Sequence, residues 1–276
     1  MGVPYAEVIG DPIAHSKSPV IHKFWLEKLG IQGDYRAVRV GQADVADYLK
    51  VRRADADWRG CNVTMPLKQA IVPLLDNRRD SVVNCVSRRG AALVGSNTDS
   101  GGVDEAIADW GVCPNEARVA MIGAGGAAWA ALGALDVLCY FAIDIIVRDP
   151  AKGERFLNSV NLSGASCRVH SLEGAGEALR GRYAVINASP LGMVGYPAMP
   201  DTVLEGLGGM VEDGFAFDMV TAPVRTIFLD RAREAGLSAS DGLTMLIGQA
   251  RSSFMTFFGA LPPESLDSHL RRKLRP

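Results

Sequence analysis

Long hydrophobic runs are missing from this sequence. No stretch approaches the ~20 apolar residues that a membrane-spanning helix needs, and polar and charged residues appear too soon after the N-terminus for a secretory signal. An excess of one charge is missing as well. Lys and Arg number 29 against 31 Asp and Glu, a formal net charge of −2. No strong field therefore invites nucleic acid or an anionic membrane, and neither is expected as a partner. The basic run Arg271, Arg272, Lys273, Arg275 reads as a solvated helix end. Cysteine is scarce: Cys61, Cys85, Cys113, Cys139 and Cys167 are odd in number, far apart and without a C-x-x-C pair. That argues against a disulfide framework or a zinc site and fits a reduced, cytoplasmic setting. The four histidines, His15, His22, His170 and His269, lack metal-ligand spacing. All are read as structural or surface residues, and no metal is expected.

What is present is an ordinary globular composition: 276 residues, 48% hydrophobic and 22% charged, enough for two domains. Short apolar runs alternate with helical patterns, which predicts an α/β fold with mostly parallel sheets. YAEVIG, DYRAVRV and RGCNVT read as strands. Ser18-Pro19 opens a helix with Val20, Ile21, Phe24, Trp25 and Leu29 on one face, and Pro66 is expected just inside another helix. SVVNCVSRR and AALVGSN read as paired strands about Arg89-Gly90. A second unit starts near Ser100 with the helix SGGVDEAIADWG. The strand ARVAMIG, an alanine-rich helix, and the strands FAIDIIVR, SCRVHSL, RYAVINAS and GFAFDMV follow. A last helix, from about Leu243 to Phe258, is expected to return the chain to the first domain. The expected domains are 1–99, completed by 243–276, and 100–242.

MIGAGGAA places Gly123, Gly125 and Ala128 as G-x-G-x-x-A between a strand and a helix. Gly123 permits a tight turn, Gly125 lets backbone approach a pyrophosphate, and Ala128 lets helix pack on strand. The helix N-terminus then offers free N–H groups to phosphates. This is a Rossmann-like dinucleotide turn. The next strand ends in Arg148-Asp149, with Lys152 nearby. Asp149 has two open roles: bonding the ribose hydroxyls, which favours NAD, or capping the helix that starts at Pro150. Arg148 and Lys152 favour the 2′-phosphate of NADP. NADP is the expected cofactor, with NAD the alternative.

Three polar segments stand at strand ends, where open α/β sheets bind ligands. They are HSKSP with Ser16 and Ser18, NVTMPLK with Asn62, Thr64 and Lys68, and GSNTD with Asn97, Thr98 and Asp99. Singly, each is a turn or a cap. Together they supply hydroxyls and amides for a polyhydroxylated ring, and a Lys–Asp pair that can deliver a proton to a carbonyl under reduction.

HSKSP, NVTMPLK, NTD, GAGGA, NASPLGM and DGLTMLIGQA follow one another as in shikimate dehydrogenases, and on these motifs the chain resembles that family from its first strand to about Gly259. The resemblance implies an N-terminal α/β substrate domain, a central Rossmann-like NADP domain and a final helix completing the first. It implies reversible reduction of 3-dehydroshikimate to shikimate, a step toward chorismate and the aromatic amino acids. Lys68 and Asp99 match the catalytic pair. Ser16 and Ser18 match the carboxylate site, while Asn62, Thr64, Asn84 and Gln249 match residues that bond ring hydroxyls or position the substrate. Gly123, Ala124, Gly125, Gly126 and Ala127 match the phosphate loop, and Arg148 matches the 2′-phosphate arginine. Asn187, Met219 and Gly242 fall where the family approaches ribose and nicotinamide. Departures are Thr221 for the usual tyrosine, GSNTDS for Gly-Asp-Asn-Thr-Asp-Gly, Cys85 for threonine, and VRD for Asn-Arg-Thr. The alternatives are a paralogue acting on quinate or a related ring acid, and a non-catalytic NADP-binding regulator. A monomer or homodimer acting on a small cyclic hydroxy acid is expected.

Overall fold

The computed structural model describes residues 2–77, 82–110, 117–137, 142–160 and 166–275. In chain order it begins β1 (Tyr5–Gly10), α1 (Ser18–Leu29), β2 (Asp34–Arg39), α2 (Val45–Ala54), β3 (Trp58–Val63), α3 (Leu67–Ala70), β4 (Cys85–Arg89), β5 (Ala92–Ser96) and α4 (Asp99–Ile107). It continues β6 (Arg118–Ile122), α5 (Gly126–Val137), β7 (Ala142–Val147), α6 (Pro150–Leu157), β8 (Ser166–Ser171), α7 (Ala175–Leu179) and β9 (Ala184–Asn187). It ends α8 (Asp201–Gly206), β10 (Phe215–Asp218), α9 (Ile227–Glu234), β11 (Ser238–Ser240), α10 (Gly242–Phe258) and α11 (Asp267–Leu274). Two compact units result: residues 1–99 with 249–276, and residues 100–248. The division falls inside α10.

The first unit holds a five-stranded sheet in the order β2-β1-β3-β4-β5. β1 pairs in parallel with β2 and β3, and β4 runs antiparallel to both β3 and β5. Every residue of β1 is buried, as expected of a strand covered on both faces. Its Glu7 is only 1% exposed, which is sustainable because Arg52 and Tyr48 of α2 donate to its carboxylate at 2.6–2.9 Å. In α1, Pro19 sits in the first turn and Gly30 closes the helix in the left-handed conformation, its N–H reaching the Glu27 and Leu26 carbonyls. The buried stripe of α1 differs from expectation. Val20 is 47% exposed, whereas His22 and Leu26 are buried. The helix packs on both β2 and α11, and that second neighbour rotates and widens the apolar face. Pro66 is the residue before α3, not within it.

The second unit is a six-stranded, all-parallel sheet in the order β11-β10-β9-β6-β7-β8. Counted from β6, this is the doubly wound order whose direction reverses between β6 and β9, the place where such sheets bind nucleotides at their carboxyl ends. Val119, Met121, Ala128, Ala131 and Leu135 of β6 and α5 lie in one buried cluster. That packing anchors the glycine turn between the two elements. Among the described residues, no helix is long and apolar enough to cross a membrane.

Candidate active site

In the first unit, α3, the residue before β4 and the start of α4 converge on one carboxylate. Lys68, in the short α3 that follows β3, places Nζ 2.5 Å from Asp99 Oδ2. Asn84 Nδ2 donates to the other carboxylate oxygen at 2.6 Å. Asn84 Oδ1 accepts from the Thr98 N–H at 2.7 Å and the Thr98 hydroxyl at 3.1 Å. Asn97 Oδ1 accepts from the Asp99 N–H at 3.0 Å. The lysine side chain keeps 26% of its surface exposed and the aspartate 10%. The ammonium is thus reachable, while the carboxylate is held from behind. Asn62, 6% exposed, accepts from the Tyr35 hydroxyl at 2.6 Å and donates to Ser253 Oγ at 2.7 Å and the Asn84 carbonyl at 3.3 Å. Asn84 thus touches Asp99 directly, whereas Asn62 is linked to it only through the Asn84 carbonyl.

Ser16 Oγ accepts the N–H of Ser18 at 3.3 Å. Ser18 is buried whereas Ser16 is half-buried. Thr64 is half-buried just past β3, its Cγ2 tight against the Cα of Gly10, where a Cβ would meet it at 2.5 Å. Gln249 belongs to this unit by its place on α10, and its carbonyl accepts from Ser253 Oγ at 3.0 Å.

In the second unit, a cleft of about 380 Å³ opens at the glycine turn. Its lining includes Gly123, Ala124, Gly125, Arg148, Asp149, Lys152, Ser189 and Tyr196. Gly123 has φ +111° and faces the Ala188 carbonyl, so the chain itself demands glycine there. Gly125 and Gly126 have open space where a Cβ would stand. Their lack of a side chain matters to whatever approaches from outside. Gly126 and Ala127 begin α5, whose first N–H groups face this turn. Asp149 Oδ1 accepts from the Lys152 N–H at 3.3 Å, so its carboxylate caps α6. Arg148 and Lys152 stay exposed on the cleft.

Asn187 lies outside that lining and is fully buried. It donates to Asp218 and the Leu191 carbonyl and accepts from the Ser189 N–H and hydroxyl. It therefore shapes the loop after β9. Asp218 is buried beside it, and desolvation raises its pKa despite donors from Thr226, Val220 and Asn187. Gly242 opens α10 against the residues that follow β10: a Cβ would come within 2.4 Å of the Val220 carbonyl and 2.9 Å of the Met219 carbonyl carbon. Neither Met219 nor Gly242 is among the residues lining the glycine-turn cleft.

Residues 8–86 match the profile of the shikimate dehydrogenase substrate binding domain. A curated shikimate dehydrogenase (NADP(+)) of Sphingopyxis alaskensis is 43% identical over 98% of this chain and 97% of its own length. The chain belongs to the shikimate dehydrogenase family. Shikimate 5-dehydrogenase of Thermus thermophilus, solved in complex with NADP(H) and shikimate, superposes with a TM-score of 0.81 at 32% identity, covering 98% of this chain and 99% of that one. Quinate dehydrogenase of Corynebacterium glutamicum, solved in complex with NAD, reaches 0.85 at 25% identity over 98% and 99% of the two chains. Membership accounts for the order of the motifs along the chain.

Sequence reasoning passed over Tyr35, Ser253 and Tyr196. A signal existed for the first: a tyrosine on a strand destined for burial must find a partner for its hydroxyl. Ser253 follows Gln249 by one helical turn, a weaker sign. Among the histidines, His22 is buried with neither ring nitrogen hydrogen-bonded, and His170 Nε2 lies 2.6 Å from Asp144 Oδ1. Among the described residues no cluster of metal-ligating side chains occurs. Cys113 and Cys139 lie outside the described residues.

Proposed function

We propose that the chain catalyses the reversible, NADP-dependent reduction of 3-dehydroshikimate to shikimate. The observation that carries this is the Lys68–Asp99 pair, an accessible amine held at 2.5 Å by a buried carboxylate. NADPH, held by the glycine turn with Arg148 and Lys152, would supply the hydride for the ring carbonyl. Lys68 Nζ gives a proton to the carbonyl oxygen as it becomes a hydroxyl, and takes that proton back in the oxidation. Asp99 holds Nζ in place, and Asn84 holds Asp99. Ser16 and Ser18 receive the substrate carboxylate, while Thr64 and Gln249 bond ring hydroxyls. Residues 1–99 and 249–276 thus form the substrate domain.

Residues 100–248 form the dinucleotide domain. Gly123 through Ala127 and the N-terminus of α5 suit a pyrophosphate, since the open space at Gly125 and Gly126 lets it reach backbone N–H groups. Arg148 and Lys152 suit the 2′-phosphate. Asp149, turned to its helix, withholds the carboxylate that would repel it. Asn187 orders the adjoining loop, and Met219 and Gly242 border the nicotinamide. The NADP(+) in the name of the 43% identical relative agrees. Cys61, Cys85 and Cys167 are not joined in disulfides, which fits a reducing cytoplasm.

Thr221, where the family carries tyrosine, favours a second reading: quinate or a related ring acid as the preferred substrate. Nicotinamide oxidation and reduction with shikimate, quinate and their dehydro forms, each with NADP and with NAD, tests both. The proposal expects the highest kcat/KM with shikimate and NADP. A higher value with quinate replaces it by the second reading, and no turnover with any pair refutes both.

A further inference from the structure

Tyr35 is fully buried on β2, its ring stacked on that of His22 at 3.9 Å and 5°. Burial pushes its pKa well above the usual tyrosine range, so it remains a neutral phenol with one proton to give. That proton goes to Asn62 Oδ1 at 2.6 Å. The Asn62 amide, its oxygen claimed, presents Nδ2 to the Asn84 carbonyl and Ser253 Oγ.

Ser253 completes the arrangement from α10. Its hydroxyl donates to the Gln249 carbonyl at 3.0 Å, which leaves its lone pairs to accept from Asn62 at 2.7 Å. It also lies 3.4 Å from Thr98 Oγ1. Tyr35, Asn62, Ser253, Asn84 and Thr98 are each 9% exposed or less, so water cannot replace a lost partner at low cost. The chain of bonds ends at Asn84 Nδ2 on Asp99 and Asp99 on Lys68.

We infer that Tyr35 is a positioning residue for the Lys68–Asp99 pair, acting through Asn62 with Ser253 and Asn84. This rests on the roles proposed above for Lys68 and Asp99.

Tyr35→Phe keeps the ring and its stacking and removes only the hydroxyl. It is expected to lower kcat about 10-fold, the size of one net hydrogen bond. KM for shikimate and KM for NADP should each stay within about twofold. Ser253→Ala should lower kcat by a similar factor with both KM values nearly unchanged, because it acts through the same Asn62 amide. The double variant should fall well short of the product of the two losses, since both act through one amide. All rates are referred to folded protein, measured by urea unfolding, so destabilisation alone does not mimic the effect. Tyr35→Phe with kcat within about twofold of the parent, or with a loss carried by KM for shikimate alone, overturns the inference. Lys68→Ala, run alongside, separates the two levels. If it is inactive while Tyr35→Phe is normal, only the inference fails. If it remains active, the catalytic reading fails with it.

Discussion

Replacing His22 with phenylalanine tests what its burial costs in acid. The ring is enclosed by Tyr35, Trp25, Phe254 and Phe257, with neither nitrogen hydrogen-bonded. Desolvation by burial lowers its pKa from 6.5 to about 3. In the unfolded chain the ring protonates near its ordinary value. Between those two values the unfolded state carries one more proton than the folded state, so stability falls as pH falls. The slope is about 1.4 kcal/mol per pH unit. Above pH ~6.5 neither state is protonated and the contribution is complete. At about pH 4.5 the parent has therefore lost about 3 kcal/mol that His22→Phe retains. For a chain of this size that is about 6–12 °C in Tm. Thermal and urea unfolding of both proteins near neutral pH and near pH 4.5, followed by circular dichroism and tryptophan fluorescence, measures it. The phenylalanine keeps the stacking, and subtracting one protein from the other removes the background of carboxylates and other histidines. Parallel pH profiles would refute the reasoning, because they would mean that His22 takes up its proton equally well in the fold.

Lys68→Ala should lower kcat by a factor of ~10² to 10⁴ with a smaller change in substrate affinity, as read by steady-state kinetics; unchanged turnover removes Lys68 from the chemistry. Replacing Ser16 and Ser18 together with alanine should raise KM for shikimate and leave the NADP dissociation constant nearly unchanged. Equal weakening of both would make the pair a support of the fold. Arg148→Ala should weaken NADP selectively over NAD in fluorescence titrations of the reduced cofactors. Asp149→Thr, which keeps a capping hydroxyl and removes a negative charge, should strengthen NADP; a loss of NAD affinity instead would identify Asp149 as a ribose ligand.

The amino-acid sequence by itself determined the features that are written in contiguous residues. The apolar run of β6, the glycine turn and the alanine-rich α5 are one uninterrupted segment whose spacing prescribes strand, turn and helix. The hairpin of β4 and β5 about Arg89-Gly90 is likewise local. Motif order along the chain was enough to suggest the family, and hence a lysine and an aspartate as partners across 31 positions. Other features depended on which strands pair and on what packs against them. Asp149 had two possible roles in the sequence, and only the start of α6 turned its carboxylate to the Lys152 N–H. Val20 and His22 are neighbours on α1, and only the packing of α1 on β2 and α11 left the valine in water and buried the histidine. Glu7 reads as a misplaced charge in an apolar strand until α2 brings Arg52 to it. Tyr35 and Ser253 look unremarkable in sequence because their importance lies in partners 27 and 191 residues from Asn62. A buried polar group must be satisfied, but sequence spacing does not specify by whom; that is decided when the chain closes and water is excluded.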